Sequence, residues 1–203
     1  MNVNPRIELD FAKGLRHILR QDPDIIMIGE IRDRPTAEIA IQASLTGHLV
    51  LSTLHTNDAP SALTRLADMG IEPYLLASSI LGIVAQRLMR QICPHCKTSY
   101  TPSAEELAEL GLKKEGGKFF RGTGCEQCFH SGYKGRHGIY ELMPVTSQIK
   151  SQVLRSQDGE ELRKVALAQE MKSLFDQGVE LVISGITTSA ELLRVTRMDP
   201  ERE

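Results

Sequence analysis

The sequence is poor in several features that define whole classes of protein. It has 203 residues with no tryptophan, five phenylalanines and four tyrosines, so its core must be built from aliphatic side chains. The two signs of charge nearly cancel, because 24 basic and 26 acidic residues leave a net charge of −2. A chain that binds nucleic acid through its overall charge carries a clear basic excess. We therefore expect no nucleic-acid partner.

Long apolar runs are also missing. The uncharged stretch over residues 74–86 is shorter than the roughly 20 residues that a membrane-spanning helix needs. We assign it to a long buried helix over residues 74–92. The N-terminus carries Arg6, Glu8 and Asp10 without an apolar run, so no export signal is visible. These absences predict a cytoplasmic chain that does not insert into a membrane.

A phosphate-binding loop of the form G-x-x-x-x-G-K-[ST] is absent as well. The only Gly-Lys pair, at Gly117, is followed by Phe119, and Leu112 stands where the first glycine is required. That loop holds nucleotide phosphates through its backbone amides and its lysine. The sequence itself therefore contains no phosphate-binding loop for a nucleoside triphosphate.

What is present divides into three parts, which we predict as domains 1–92, 93–140 and 141–203. The first part alternates helices with short apolar strands, which favours a parallel sheet whose strands are buried on both faces. The last part is helical, and Thr188 to Glu191 has a capping-box pattern. The predicted strands are 25–29, 48–54 and 137–142, and the predicted helices are 11–19, 35–44, 59–69, 146–155, 159–169, 171–183 and 188–197, with a short helix opened by Ser103.

Four cysteines form two C-x2-C pairs, Cys93/Cys96 and Cys125/Cys128, separated by 28 residues. Four thiolates suit tetrahedral zinc and leave no open coordination position, so the spacing predicts a structural Zn(II) site. The longer linker costs only about 0.4 kcal/mol of loop entropy, against the roughly 10 kcal/mol or more that structural zinc contributes. Unliganded thiols, a redox pair and a nucleic-acid-binding zinc ribbon remain as alternatives.

An acidic residue follows the first predicted strand. Glu30 ends the run that starts at Ile25, and His55 follows the second strand, so both lie at the edge of a parallel sheet where ligands bind. A glutamate there can activate water against a γ-phosphate. Many parallel strands also end in an acid with no catalytic role, and a single histidine is often a packing residue.

Together these residues resemble a known family. Residues 22–33 and 46–59 are similar to the Walker B and His-box segments of secretion ATPases, and the match continues through the cysteine pairs to residues 132–142 and 191–197. The chain resembles the C-terminal part of type II secretion system ATPases (the general secretory pathway protein E family). Type IV pilus assembly ATPases are a close second, whereas retraction ATPases typically lack the four cysteines.

The resemblance implies a fold and a set of roles. The fold is α/β, the Walker B half of a RecA-like P-loop ATPase core, with a four-cysteine zinc subdomain and a C-terminal helical subdomain. Glu30 corresponds to the residue that activates the hydrolytic water, and His55 to a histidine near the γ-phosphate. Gly29 stands where other P-loop ATPases have an aspartate, so the magnesium contact must come from elsewhere or through water. The family's zinc ligands correspond to Cys93, Cys96, Cys125 and Cys128.

Four arginines fall in segments where the family carries arginines, namely Arg16, Arg20, Arg32 and Arg136. A guanidinium can stabilise the charge of a transferring phosphoryl group across a subunit boundary. Each of the four fits a surface charge or an intrachain salt bridge equally well.

The implied function is that of a hexameric ATPase in the cytoplasm, peripheral to the inner membrane, which drives protein export through an inner-membrane platform. In this family the Walker A strand and the platform-docking domains precede the stretch with which the sequence begins. We therefore expect ATP and Mg(II) to bind only with that N-terminal half, the chain alone to be inactive, and its sheet to have two or three strands with an exposed edge. A zinc-containing interaction module without catalysis and a pilus assembly ATPase remain as alternatives.

Overall fold

The computed structural model describes residues 14, 21, 23–113 and 117–196. Apart from Gly14, the helix predicted over residues 11–19 lies outside this range, as do Arg16 and Arg20. The described chain forms two compact units. The first comprises the residues up to Val84 together with Leu142–Met171, and the second comprises Ala85–Glu141 and the residues from Lys172 onwards. The three-domain division stays a prediction.

The first unit contains the two strands predicted at its start. β1, Ile25–Ile28, pairs in parallel with β2, Leu49–Ser52, in a register that sets Ile25 opposite Leu49 and Ile28 opposite Ser52. Within the described residues this sheet has two strands, where the sequence predicted two or three. The parallel direction means that both strands end at the same edge of the sheet.

The prediction that these strands are buried on both faces is wrong for the described chain. Ile26 and Ile28 are only 3% and 1% exposed, but Ile25 and Met27, which point to the opposite face, are 61% and 81% exposed. An apolar run without polar alternation is typical of a strand covered on both sides. The apolar run does not tell which face of the strand is buried, because burial depends on elements that are distant in sequence.

Two helices follow the strands and begin at aspartate caps. α1, Arg34–Leu45, starts after Asp33, whose carboxylate accepts a 2.9 Å hydrogen bond from the amide of Thr36. α2, Ala59–Asp68, starts after Asp58, which accepts a 2.8 Å bond from the amide of Ser61. Each cap satisfies an amide that has no partner inside its helix. Both predicted helices are confirmed to within a residue or two.

The long helix predicted over residues 74–92 is wrong. The structure has a short helix α3, Pro73–Ser79, and then a long strand β3, Gly82–Ile92. β3 pairs with β6, Tyr133–Pro144, a strand about 50 residues later that extends beyond the predicted residues 137–142. Local apolar periodicity is ambiguous between helix and strand, and a pairing partner so far along the chain decides for the strand. Within the described residues, no helix is long and apolar enough to cross a bilayer.

The first unit is completed by α5, Ser147–Arg155, and α6, Gly159–Leu167. Helix α6 is tied to α2 by an ion pair in which Arg163 Nη2 lies 2.8 Å from Asp58 Oδ2. Burial would raise the pKa of Asp58, but its bonds to Ser61 and Arg163 lower that pKa below its usual range. Asp58 therefore both caps α2 and binds α6 through Arg163.

The second unit surrounds the cysteine pairs. β4, Lys97–Tyr100, pairs antiparallel with β5, Phe119–Gly122. Its helices are α4, Ala104–Glu109, α7, Leu174–Ile183, and α8, Ser189–Thr196, and all three were predicted. A Cβ on Gly178 would collide with Leu192 Cδ1, so α7 and α8 approach closely at this glycine and a larger residue would displace the Leu192 side chain. The core consists of Met89, Leu107, Leu110, Phe119, Ile139, Leu174, Val182 and Leu192.

A buried glutamate fastens α8 to β3. The carboxylate of Glu191, 1% exposed, accepts bonds of 2.9, 3.0 and 2.7 Å from the amide, Nε and Nη2 of Arg90. Arg194 adds bonds of 2.8 and 2.6 Å, and the Arg90 guanidinium lies 4.2 Å from the ring centre of Tyr133. The predicted capping pattern is present in part, because Thr188 Oγ1 accepts from the Glu191 amide at 3.1 Å. The Glu191 carboxylate binds Arg90 and Arg194, which is where its hydrogen bonds go.

Glu191 makes the stability of the second unit depend on pH. Burial would raise its pKa, but the hydrogen bonds from Arg194 and Arg90 lower it to about 2. Because the folded pKa lies below the unfolded value of about 4.3, the contribution to stability is complete above that value and is lost as pH falls toward 2. We expect Glu191→Gln to lower the free energy of unfolding near neutral pH by about 2–3 kcal/mol.

A matched control lies in the same unit. Glu180 pairs with Lys172 at 2.6 Å, but both side chains are about 60% exposed, so Glu180→Gln should change stability by less than about 1 kcal/mol. Urea denaturation at pH 7 and at pH 3 measures both variants. Equal losses for the two variants, or a Glu191→Gln loss that is the same at both pH values, would contradict the assignment.

Candidate functional site

The carboxyl edge of the β1–β2 sheet brings together the two polar residues predicted to meet there. Glu30 lies two residues after β1, and His55 lies three residues after β2. His55 Nε2 is 3.3 Å from Glu30 Oε2. The Glu30 side chain is 26% exposed and that of His55 is 83% exposed, so the imidazole covers one side of the carboxylate while remaining open to solvent.

Of the four candidate arginines, one contacts this carboxylate in the described chain. The guanidinium of Arg32 forms an ion pair with Glu30 Oε1, an atom that has almost no exposed surface. Arg136 is an exposed residue of β6 and belongs to the second unit. The candidates Arg16 and Arg20 lie outside the described residues.

A shallow cleft of about 190 Å³ lies beside His55. Its cationic lining consists of Arg32 and Arg65, and the complete lining is Ile31, Arg32, Leu54, His55, Arg65 and Met69. Two guanidinium groups and an imidazole around an open cleft suit an anionic group. Arg65 was not among the predicted site residues, because its place on α2 carries no sign that this part of the helix faces the strand ends.

Sequence reasoning also missed Thr53. It follows β2 directly, and its carbonyl accepts a 3.0 Å hydrogen bond from the amide of Ile31, which continues the ladder past the last paired residues of the sheet. The available signal in the sequence was a hydroxyl residue near the end of the second predicted strand, which was expected to lie beside the strand that precedes Gly29 and Glu30.

The four cysteines of the second unit form one cluster. Their sulfur atoms all lie within 4.8 Å of one another. The distance from Cys93 Sγ to Cys125 Sγ and that from Cys96 Sγ to Cys128 Sγ are both 3.9 Å, and Cys125 Sγ is 3.7 Å from Cys128 Sγ. A tetrahedron with metal–sulfur bonds of about 2.3 Å has sulfur–sulfur edges of about 3.8 Å. The set therefore fits a tetrahedral ion such as zinc.

Tight turns carry the sulfur atoms into this arrangement. Cys93 follows β3 and its amide donates to the carbonyl of Gly132 at 2.9 Å, while Cys125 precedes and Cys128 ends a short 3₁₀ turn, Glu126–Cys128. Gly124 has a φ of +90°, and a Cβ there would lie 2.8 Å from the carbonyl oxygen of His130. The turn could not close as tightly around a larger residue.

The thiols differ in how readily they lose a proton. Burial and the neighbouring thiols raise the pKa of Cys96 to about 11, and the same causes raise the pKa of Cys125. Burial would raise the pKa of Cys128 too, but the amides of Cys125 and Gly132 donate to its sulfur at 3.2 and 3.3 Å and lower that pKa to about 6. Backbone donors thus favour a thiolate at one corner of the cluster.

The parallel strand pair with helices after each strand makes the first unit a mixed α/β fold. A crystal structure of the pilus retraction motor PilT with bound ADP matches with a TM-score of 0.65, at 26% sequence identity, over 95% of this chain and 45% of that chain. The chain therefore shares its mixed α/β fold with part of that retraction motor.

The chain belongs to the Type II/IV secretion system protein family, whose sequence model matches residues 1–194. It is 51% identical over 196 residues to the type II secretion system ATPase E of Vibrio cholerae. It is 47% identical over 197 residues to the type IV pilus assembly ATPase PilB of Thermus thermophilus. Both alignments cover 96% of this chain, but it spans only 39% and 22% of the length of these two relatives. The resemblance inferred from the motifs is confirmed.

The cysteine geometry predicts one divalent ion per chain. Cys96→Ser removes one of four sulfur ligands, so the purified variant should retain little metal and unfold at a lower temperature. His95→Ala is the matched control, because His95 is an exposed neighbour outside the cluster. Elemental analysis and thermal denaturation measure both. Full metal content in Cys96→Ser, or equal loss in His95→Ala, would contradict this ligand set.

Proposed function

We propose that this chain is the C-terminal part of a hexameric ATPase that couples ATP hydrolysis to protein export through an inner-membrane platform, working on the cytoplasmic side. The observation that carries the proposal is the 3.3 Å contact between His55 and Glu30 at the carboxyl ends of two parallel strands. The family membership and the 51% identity to a type II secretion ATPase support it.

In this proposal Glu30 is the general base. Its carboxylate accepts a proton from the water that attacks the γ-phosphate. His55 holds the Glu30 carboxylate at the carboxyl edge of the sheet, where the phosphate would lie. The guanidinium of Arg32 occupies Glu30 Oε1 in this structure, so Arg32 must turn toward the phosphate for both Glu30 oxygens to become available. Arg16, Arg20 and Arg136 are proposed as further cations that face phosphate within the hexamer.

The cysteine cluster is proposed as a structural Zn(II) site. Cys93, Cys96, Cys125 and Cys128 would hold the ion, and with four sulfur ligands it has no open position for chemistry. Its contribution is to fix the two turns relative to β3 and β4. The sulfur–sulfur distances of 3.7 to 3.9 Å support this assignment.

The proposed ATP and Mg(II) site requires a phosphate-binding loop that the printed sequence does not contain. We therefore propose that the chain by itself is inactive. Among the described residues, the lining of the cleft beside His55 offers positive charge but includes no lysine. The sequence also has no loop of the form G-x-x-x-x-G-K-[ST] that would hold the β- and γ-phosphates.

This predicts weak nucleotide binding. Titration calorimetry of the 203-residue chain with Mg–ATP should give a Kd no tighter than about 1 mM, which is the affinity of a few exposed charge contacts. A longer form of the protein that includes a phosphate-binding loop is the positive control. Micromolar affinity for the 203-residue chain would overturn the proposed division of labour.

The proposed base is tested by Glu30→Gln in the longer form. The amide keeps the shape of the side chain but does not accept the proton, so kcat should fall by about 100-fold or more while nucleotide still binds. Glu38→Gln is the matched control, because Glu38 is a partly exposed residue of α1 paired with Arg34 at 2.7 Å. A Glu30→Gln variant with unchanged kcat would remove the proposed role.

Two other functions have an observation in their favour. The 47% identity to a pilus assembly ATPase supports assembly of pili instead of export. The missing phosphate loop and the clustered cysteines support a metal-stabilised interaction module without catalysis. Deletion of the gene separates the first alternative, since loss of surface pili with normal export would favour it. Absence of ATP hydrolysis in every longer form would favour the second.

A further inference from the structure

We propose that Thr53 is a positioning residue that fixes the backbone of Glu30 from the neighbouring strand. The inference rests on the proposed function, because it concerns the residue to which that function assigns water activation. Thr53 itself contacts neither nucleotide nor water in this mechanism. It acts through the two peptide groups on either side of Glu30.

Thr53 contacts both of these peptide groups. Its hydroxyl donates a 2.7 Å hydrogen bond to the carbonyl oxygen of Gly29, which belongs to the peptide before Glu30. Its own carbonyl accepts a 3.0 Å bond from the amide of Ile31, which belongs to the peptide after Glu30. Because each peptide is planar, the φ and ψ of a residue are the rotations between the two planes that flank it. One residue, at the end of the neighbouring strand, therefore restrains both dihedral angles of Glu30.

The need for such a restraint comes from Gly29. A Cβ built on this glycine would meet nothing within 4 Å, so no lack of space explains a glycine here. Glycine also leaves its backbone freer than any other residue does. The paired register of the sheet ends one residue earlier, at Ile28 and Ser52. The Thr53 hydroxyl supplies, at this point, the restraint that neither a side chain on Gly29 nor the strand ladder provides.

The same short segment also reaches the Glu30 side chain. His55, two residues after Thr53, lies 3.3 Å from Glu30 Oε2. If the backbone of Glu30 rotates, the carboxylate moves away from His55 and from the water whose proton it must accept. Displacement of a catalytic group by about 1 Å can cost up to about 100-fold in rate.

Kinetics of the longer, loop-containing form test this inference. Thr53→Val keeps the shape of the side chain and removes the hydroxyl, so kcat should fall about tenfold while KM for ATP changes by less than about twofold. Thr53→Ser retains the hydroxyl and should restore most of kcat. Unchanged kcat in Thr53→Val, or failure of Thr53→Ser to recover activity, would overturn the positioning role.

A matched control separates positioning from simple loss of stability. The Thr64 hydroxyl on α2 also donates a 2.7 Å bond to a main-chain carbonyl, that of Gln157, elsewhere in the same unit. Thr64→Val should therefore lower thermal stability about as much as Thr53→Val, by the loss of one hydrogen bond, yet leave kcat unchanged. Equal falls in kcat for the two variants would show that Thr53 acts only through stability.

A second measurement uses the 203-residue chain and needs no hydrolysis. Hydrogen exchange of the Ile31 amide should become about fivefold faster in Thr53→Val, since the peptide planes around Glu30 loosen. In Thr64→Val this amide should exchange as in the parent chain. An unchanged Ile31 rate in Thr53→Val would overturn the inference.

The failure of the inference is distinguishable from failure of the proposed function. If Glu30→Gln abolishes hydrolysis and Thr53→Val leaves kcat intact, Glu30 keeps its role and Thr53 loses its own. If Glu30→Gln leaves kcat intact, the proposed base is wrong whatever Thr53 does.

Discussion

In a parallel pair both strands run in the same direction, so the residues that follow each strand lie at the same edge of the sheet. The acidic site depends on this constraint. Glu30 and His55 are 25 residues apart in sequence, yet the register of β1 against β2 brings their side chains to 3.3 Å. A slip of that register by one residue would send every side chain of the slipped strand to the other face and separate the pair. The site is thus a consequence of strand pairing more than of any local motif.

At this edge of the sheet, capped helices start soon after each strand, and a glycine precedes Glu30. The helix caps at Asp33 and Asp58 begin α1 and α2 a few residues beyond the strands, so the loops that carry Glu30 and His55 are short. Gly29 is the permissive point within the first loop, because it has no side chain and a Cβ built there would meet nothing within 4 Å. The backbone on both sides of Glu30, the residue proposed as the general base, is therefore held by bonds to Thr53 from the partner strand.

Much of this arrangement was predictable from the sequence because it rests on local signals. The aspartates and prolines that start α1 and α2, the apolar run of β1 and the cysteine spacing each have a short-range physical cause. The errors occur where distant residues decide. Residues 82–92 form a strand because β6 pairs with them, and the ion pair of Arg32 with Glu30 depends on side-chain directions that no spacing reveals. Which face of β1 is covered is likewise settled by residues that are remote in sequence.

In the second unit two different devices act on the same pair of strands. The sulfur cluster lies where β3 ends, since Cys93 follows Ile92 directly, and its turn is bonded to Gly132 just before β6 begins. Three residues before Cys93, Arg90 stacks on Tyr133 and binds the buried carboxylate of Glu191. A metal cluster holds its sulfur ligands at fixed distances but does not restrain the strands farther along, whereas a charged network needs neighbouring groups that stay in register. The proposed metal site and the network therefore complement each other: the cysteine cluster lies where β3 ends and β6 begins, and the network fastens α8 to β3.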